Sequence, residues 1–285
     1  MQPVNLQPST FQLGLVGYPL GHSLSPKIHA AALKACNLEG TYSLFPIPPE
    51  DKHGLKDLLA RIRSGEIHGL NVTIPHKQNV IEFMDELTPT AKAIGAVNTI
   101  YMQEDKLIGD NTDAHGFLSD LKQAMSKDQS SIENRKSAIV LGAGGSARAV
   151  VYALLNDGWN STLAARRIEQ AQQLANSFTN YQLPITNLTN LPLSTFHLIV
   201  NTTPLGMTPN IETSPLPENT VLSKNTFVYD LVYNPHETKL VRDAKAQGCR
   251  ASTGLGMLIE QAALAFKKWT GHNPPRDILY QAVES

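Results

Sequence analysis

An apolar run of strand type, Ser137 to Leu141 (SAIVL), passes directly into Gly142, Ala143, Gly144, Gly145, Ser146 and Ala147, and then into the helical run Arg148 to Asn156. This is G-x-G-x-x-A between a strand and a helix, the arrangement that cradles a pyrophosphate in a doubly wound α/β sheet. Each position has a physical task. Gly142 allows a tight turn, Gly144 lets the backbone approach a ligand, and Ala147 permits close helix packing, while the first amides of the helix attract phosphate charge. An ordinary glycine-rich turn is the plainer alternative, and the flanking strand and helix argue against it.

The rest of the chain keeps the same rhythm. Leu13 to Val16, Pro26 to Cys36, Tyr42 to Ile47 and Leu55 to Ile62 alternate strand and helix patterns. Such alternation predicts parallel strands joined by right-handed crossovers, with ligands beyond the carboxyl ends of the strands. The 285 residues suffice for about two domains. The polar stretch Lys127 to Lys136 (KDQSSIENRK) reads as a linker ahead of the glycine motif, and Pro204 to Pro217 as a surface loop. With 24 Lys plus Arg against 25 Asp plus Glu, no overall charge draws the chain to nucleic acid or anionic lipid. Met1 to Thr10 has neither a basic leader nor an apolar span and reads as a frayed tail. Cys36 and Cys249 are far apart, without metal or redox spacing, and the histidines show no ligand spacing either. The expectation is a cytoplasmic protein with no metal, nucleic-acid or membrane partner.

The strand Ser161 to Ala165 ends in Arg166 and Arg167, where an NAD-binding chain would carry an acidic residue for the ribose hydroxyls. Guanidinium groups instead suit a 2′-phosphate, so NADP is the expected cofactor. A solvated basic helix start is the competing explanation. Earlier in the chain, Ser23 and Ser25 lie two residues apart in Gly21 to Pro26 (GHSLSP), beside a helix start that Ser25 would cap and Pro26 would open. Both hydroxyls can serve one carboxylate. Ile67 to Thr73 reads as a strand that turns Asn71 and Thr73 to one side, after which Pro75 would start a helix with Lys77 in its first turn. An ammonium at the positive end of a helix is electrostatically unfavourable, which hints at chemistry. His76 beside it would point away from Lys77 on that helix.

These residues and others place the chain in close resemblance to the shikimate dehydrogenase family. The resemblance runs through GHSLSP, NVTIPHK (Asn71 to Lys77), GAVNT (Gly95 to Thr99), GDNTDA (Gly109 to Ala114), GAGGSAR (Gly142 to Arg148), DLVYNP (Asp230 to Pro235) and GLGMLIEQAA (Gly254 to Ala263). It implies an α/β fold in which residues 1–112 form a substrate-binding, catalytic domain, residues 113–250 a Rossmann-type NADP-binding domain, and helices in 251–285 return to the first. It further implies that Ser23, Ser25 and Tyr233 hold a substrate carboxylate, and that Asn71, Thr73, Asn98, Asp113 and Gln261 hold its hydroxyls. Thr202 and Met207, in Asn201 to Met207 (NTTPLGM), together with Leu231 and Gly254, would line the cofactor site; a Thr/Pro turn is the simpler reading of NTTPLGM. The chain departs from the family pattern with Ala165, Arg166 and Arg167 where N-R-T is usual, and with Gln170 for a later arginine.

The implied reaction is reversible reduction of 3-dehydroshikimate to shikimate by NADPH in chorismate and aromatic amino acid biosynthesis. Lys77 would act as general acid and base, paired with Asp113. Asp113 could equally cap a helix starting near Ala114, and both roles can coexist. Two alternatives remain: a quinate/shikimate dehydrogenase using NAD, against which the arginine pair argues, and a non-catalytic ligand sensor, against which the retained Lys77 and Asp113 argue. The sequence leaves open whether the protein is a monomer or a homodimer.

Overall fold

The structure is a computed structural model, and it describes residues 8, 10–126, 136–187 and 193–284. Most of the expected linker and of the N-terminal tail lies outside the described residues. The chain falls into two compact units, Met1–Lys92 with Ala96–Thr112 and Gln261–Ser285, and Ala93–Gly95 with Asp113–Glu260.

The second unit carries a six-stranded, fully parallel sheet. Its strands are β7 (Ser137–Leu141), β8 (Asn160–Ala164), β9 (Ile185–Thr186), β10 (Leu198–Asn201), β11 (Phe227–Asp230) and β12 (Arg250–Thr253), in the order β12-β11-β10-β7-β8-β9. The apolar runs SAIVL and LIVN are buried along their whole lengths apart from Ser137, as expected for strands covered on both faces. Helices α4 (Asp113–Met125), α5 (Gly145–Asn156), α6 (Ile168–Asn176) and α7 (Lys239–Ala246) belong to this unit. One core cluster joins Ile139, Leu141, Ile199 and Val228 of the sheet to Leu240 and Ala244 of α7. The order of strands reverses between β7 and β10. In open parallel sheets ligands bind beyond the carboxyl ends of the strands at such a reversal.

The first unit contains β1 (Phe11–Gly17), β2 (Gly40–Pro46), β3 (Gly69–Val72), β4 (Glu86–Leu87), β5 (Thr99–Gln103) and β6 (Lys106–Asp110), ordered β2-β1-β3-β5-β6-β4. Here the expectation of parallel strands fails: β1 pairs in parallel with β2 and β3, but β5 runs antiparallel to both β3 and β6. The two residues joining β5 to β6, Glu104 and Asp105, both adopt positive φ (48° and 62°), the conformation that closes a tight hairpin with the twist of its strands. Neither is Gly or Asn, so the turn gave no signal in the sequence. Helices α1 (Ser25–Ala35), α2 (Lys52–Arg63) and α3 (Pro89–Ile94) accompany this sheet, and Leu55, Leu58, Leu59 and Ile62 of α2 pack with Leu70, Val72 and Ile100. Helix α8 (Leu255–Thr270) starts among residues of the second unit and ends among those of the first, and α9 (Arg276–Glu284) lies wholly within the first. The C-terminal helices thus return to the N-terminal unit, as the fold reading expected. No described helix is long and apolar enough to cross a membrane.

Candidate active site

In the first unit Ser23 and Ser25 follow the carboxyl end of β1, Asn71 lies near the end of β3 with Thr73 just beyond it, Asn98 directly precedes β5, and Gln261 is on α8. The Ser25 amide donates to Ser23 Oγ at 3.3 Å. Ser25 is not the helix cap: Leu24 holds that position without a side-chain bond, Ser25 is the first helical residue, and Pro26 sits within the first turn. The Ser25 hydroxyl is buried without spending itself on a cap.

Lys77 requires a larger correction. No α-helix begins at Pro75: residues 74–78 form turns, followed by a five-residue 3-10 helix, Asn79–Phe83. Proximity to the positive end of a helix therefore does not explain the position of Lys77, since so short a 3-10 segment carries little dipole. What distinguishes Lys77 is burial, with only 9% exposure, where lysine is almost never found unless paired. Its carbonyl accepts from the Val97 amide at 2.7 Å, which ties it to the segment leading into Asn98. His76 is also buried, and its Nε2 bonds the Ile47 carbonyl at 2.7 Å. Because the carbonyl can only accept, Nε2 carries the proton, and His76 acts as a fastener for the turn.

Asn71, Asn98 and Gln261 come together in one buried polar network. Asn98 Nδ2 donates to Thr112 Oγ1 (2.9 Å) and to Gln261 Oε1 (3.3 Å), while its Oδ1 accepts from the Thr112 amide (2.8 Å) and from Thr99 Oγ1 (3.0 Å). Asn71 Nδ2 donates to the Asn98 carbonyl at 3.2 Å. Thr73 stays close through the backbone, its amide on the Val16 carbonyl at 2.9 Å. Gln261 reaches this point because α8 crosses back into the first unit. Thr99 and Thr112 are members that the sequence did not single out; nothing in their type or spacing separates them from ordinary strand and loop threonines.

Asp113 opens α4 and is 4% exposed, so it is the first helical residue rather than a cap ahead of Ala114. A carboxylate there is favoured by the helix N-terminus. Tyr233 follows β11 and is half-buried, which pushes its phenol above the usual value.

In the second unit the glycine loop leaves β7 at the strand-order reversal. Gly142 has φ +110°, and a Cβ there would meet Thr202 Oγ1 at 2.6 Å, so this position needs glycine. The Thr202 hydroxyl in turn donates to the Leu141 carbonyl at 2.7 Å, fastening the end of β10 to the loop. Gly144 caps α5 with no side-chain bond to the first amides, and a Cβ on it would touch nothing within 4 Å. The α5 N-terminus, with Gly145 and Ser146 in its first turn, thus faces open space, and buried Ala147 packs the helix closely. Ala143 is buried beside them. That cradle fits a pyrophosphate. Gly254 is packed against the Leu231 backbone, whose carbonyl oxygen would lie 2.3 Å from a Cβ.

Arg166 and Arg167 are exposed just beyond β8, and neither has an ion-pair partner among the described residues. Met207, 41% exposed, sits in the loop after β10. That loop is anchored by a residue the sequence analysis left without a role. Asp230 is fully buried, accepts from Asn201 Nδ2 (2.8 Å), Thr238 Oγ1 (2.7 Å) and the Val232 amide (3.0 Å), and is pushed up to about 6 by burial despite these donors. Among the described residues no group of three or more His, Cys, Asp or Glu could hold a metal ion.

Comparison with known proteins finds matches over nearly the whole chain. Residues 15–100 match the model of the shikimate dehydrogenase substrate binding domain, residues 124–231 that of shikimate / quinate 5-dehydrogenase, and residues 254–284 that of the shikimate 5'-dehydrogenase C-terminal domain. The shikimate dehydrogenase (NADP(+)) of Carboxydothermus hydrogenoformans is 42% identical over 275 residues, covering 95% of each chain. That of Shouchella clausii is 39% identical over 96% of this chain and 98% of its own. A crystal structure of shikimate 5-dehydrogenase from Thermus thermophilus, in complex with NADP(H) and shikimate, matches with a TM-score of 0.85 at 37% identity, covering 96% of this chain and 98% of that one. The three matched segments keep family order, and with identities of this size over almost full length they establish that the chain belongs to the shikimate dehydrogenase family.

Proposed function

We propose that the protein is an NADP-dependent shikimate dehydrogenase that reversibly reduces 3-dehydroshikimate to shikimate in chorismate and aromatic amino acid biosynthesis. The observation that carries this reading is a nearly buried lysine, Lys77, tied through the Val97 amide to a segment whose Asn98 joins Asn71 and Gln261 in one polar network. Such a set has little reason to be buried in a core, and every reason to surround a small polyhydroxylated acid.

The α5 N-terminus and the Gly142 to Ala147 loop would hold the pyrophosphate, and Arg166 and Arg167 the 2′-phosphate, with Thr202, Met207, Leu231 and Gly254 shaping the remaining wall. When bound, NADPH supplies the hydride that adds to the ketone carbon. Lys77 neutralises the alkoxide developing on the former carbonyl oxygen and donates its proton there, giving the alcohol; in the reverse direction the amine removes the hydroxyl proton. Asp113 orients Lys77 and accepts from a ring hydroxyl. Asn71, Thr73, Asn98 and Gln261 hold the other hydroxyls, while Ser23, Ser25 and Tyr233 hold the carboxylate. We further take the first unit, to which the C-terminal helices return, as the substrate domain and the second unit, which includes β12 and the start of α8, as the cofactor domain, and take the protein to act in the cytoplasm as a monomer or homodimer.

The test is four initial rates of dinucleotide reduction, with shikimate or quinate each paired with NADP or NAD. Shikimate with NADP should give the highest kcat/KM. A preference for NAD with quinate would instead support the broader enzyme, and ligand binding without turnover the sensor.

A further inference from the structure

Among the groups that neither the cofactor cradle nor the acid–base pair uses is a layered assembly beneath Asn71. Its lowest member is His29 of α1, with no exposed surface, whose imidazole burial drives down to about 3, so it stays neutral. The ring of Tyr42, on β2, stacks on it almost in parallel, with centroids 4.3 Å apart and planes inclined by 4°. Phe266 and Trp269 of α8 flank the same imidazole, at 6.2 and 5.3 Å. With its ring held in this way, the Tyr42 hydroxyl reaches Asn71 Oδ1 at 2.8 Å.

The direction of that hydrogen bond follows from the other side of the amide. The Asn98 main-chain carbonyl, 3.2 Å from Asn71, can only accept, so the NH2 of Asn71 must face it. Thr99 Oγ1, 3.4 Å away, lies on the same side. The Asn71 oxygen therefore faces Tyr42, and Tyr42 donates. This leaves Asn71 with both amide hydrogens directed to the Asn98 carbonyl and Thr99, and with its Oδ1, an oxygen that can accept from two donors, on the side of Tyr42 and the buried His29.

We infer that Tyr42 is a positioning residue for substrate recognition: it locks the Asn71 amide so that Oδ1 is offered as an acceptor to a ring hydroxyl of the substrate. This rests on the reading above that Asn71 binds a substrate hydroxyl. The substrate group at this point must be a donor, so a ring bearing a hydroxyl there is preferred to one bearing a carbonyl or ether oxygen. Discrimination of that kind is strong because a mismatched acceptor leaves two oxygens facing each other without a proton between them.

The experiment is a double-mutant cycle of Tyr42→Phe and Asn71→Ala, read as shikimate KM, NADP KM and kcat, with the thermal midpoint of each variant. Phenylalanine keeps the stack on His29 and removes only the hydroxyl. Tyr42→Phe is expected to raise the shikimate KM by about three- to tenfold, the usual worth of one hydrogen bond, with kcat and the NADP KM changed by less than about twofold. Added to Asn71→Ala, it should have no further effect on KM, because the group it positions is gone. Additive effects, or an unchanged KM for Tyr42→Phe while Asn71→Ala raises it, would overturn the positioning role alone. An unchanged KM in Asn71→Ala would overturn the reading of Asn71 and this inference with it.

Discussion

Residue identity carried much of the chemistry but not its physical reasons. Asn71, Asn98 and Gln261 were marked by family resemblance, and the structure brings them into one hydrogen-bonded network. Lys77 was singled out partly because of a helix that does not exist, and what sets it apart is burial, which depends on the whole unit and cannot be read from neighbours in sequence. Asp230 went unassigned for a related reason. Its three donors come from Asn201, Val232 and Thr238, and only the folded sheet makes them converge. Its carboxyl, raised from 3.8 to about 6 chiefly by burial, gives a signed prediction. The native state binds this proton more tightly than the unfolded chain, so the contribution to stability is complete below about pH 3.8 and is lost as pH rises through about 6. In Asp230→Asn that dependence disappears. Measured between about pH 4 and 7.5, the thermal midpoint of the wild type should therefore fall relative to that of the variant as pH rises. Parallel curves would count against the raised value.

At the level of elements, the strand–glycine–helix unit was legible because each glycine answers a local steric demand. Its two key glycines, however, meet different demands. Gly142 combines positive φ with a Thr202 oxygen 2.6 Å from any Cβ, so Gly142→Ala should lower stability, by about 1–3 kcal/mol for the backbone strain alone. Gly144 has ordinary φ of −85° and empty surroundings, so Gly144→Ala should fold with no backbone strain, losing only about 0.5–1 kcal/mol because alanine is a poorer N-cap than glycine. Its methyl group would then stand where the pyrophosphate approaches, and the NADP KM should rise by about tenfold or more. Thermal denaturation and cofactor titration of the two variants separate these effects; an unaltered NADP KM in Gly144→Ala would remove the cradle from the cofactor site. Less legible was the β5–β6 hairpin. Its turn is made by Glu104 and Asp105 in the left-handed region, an unusual choice that local sequence does not advertise, and it converts the first sheet from parallel to mixed. The capping assignment failed by one position at Ser25, and the predicted helix at Pro75 gave way to turns.

For the whole molecule, alternating strands and helices foretold two α/β units, and the parallel order β12-β11-β10-β7-β8-β9 puts the glycine loop where such sheets bind ligands. Composition and periodicity could not foretell that α8 would begin in one unit and deliver Gln261 to the other, because that path is set by tertiary packing; the family resemblance supplied it. On the proposed function, the first unit would bring the polar residues for a hydroxylated acid and Lys77, and the second the cradle for a dinucleotide. The central claim is that together they reduce 3-dehydroshikimate with Lys77 as proton donor. The most direct measurement is the amount of shikimate formed per NADPH oxidised, followed by chromatography and absorbance for the wild type and for Lys77→Ala of verified fold. The account predicts one shikimate per NADPH in the wild type and a turnover about 10² to 10⁴ lower in the variant, with NADP binding nearly intact. NADPH oxidation without shikimate, or near-normal turnover in folded Lys77→Ala, would contradict it.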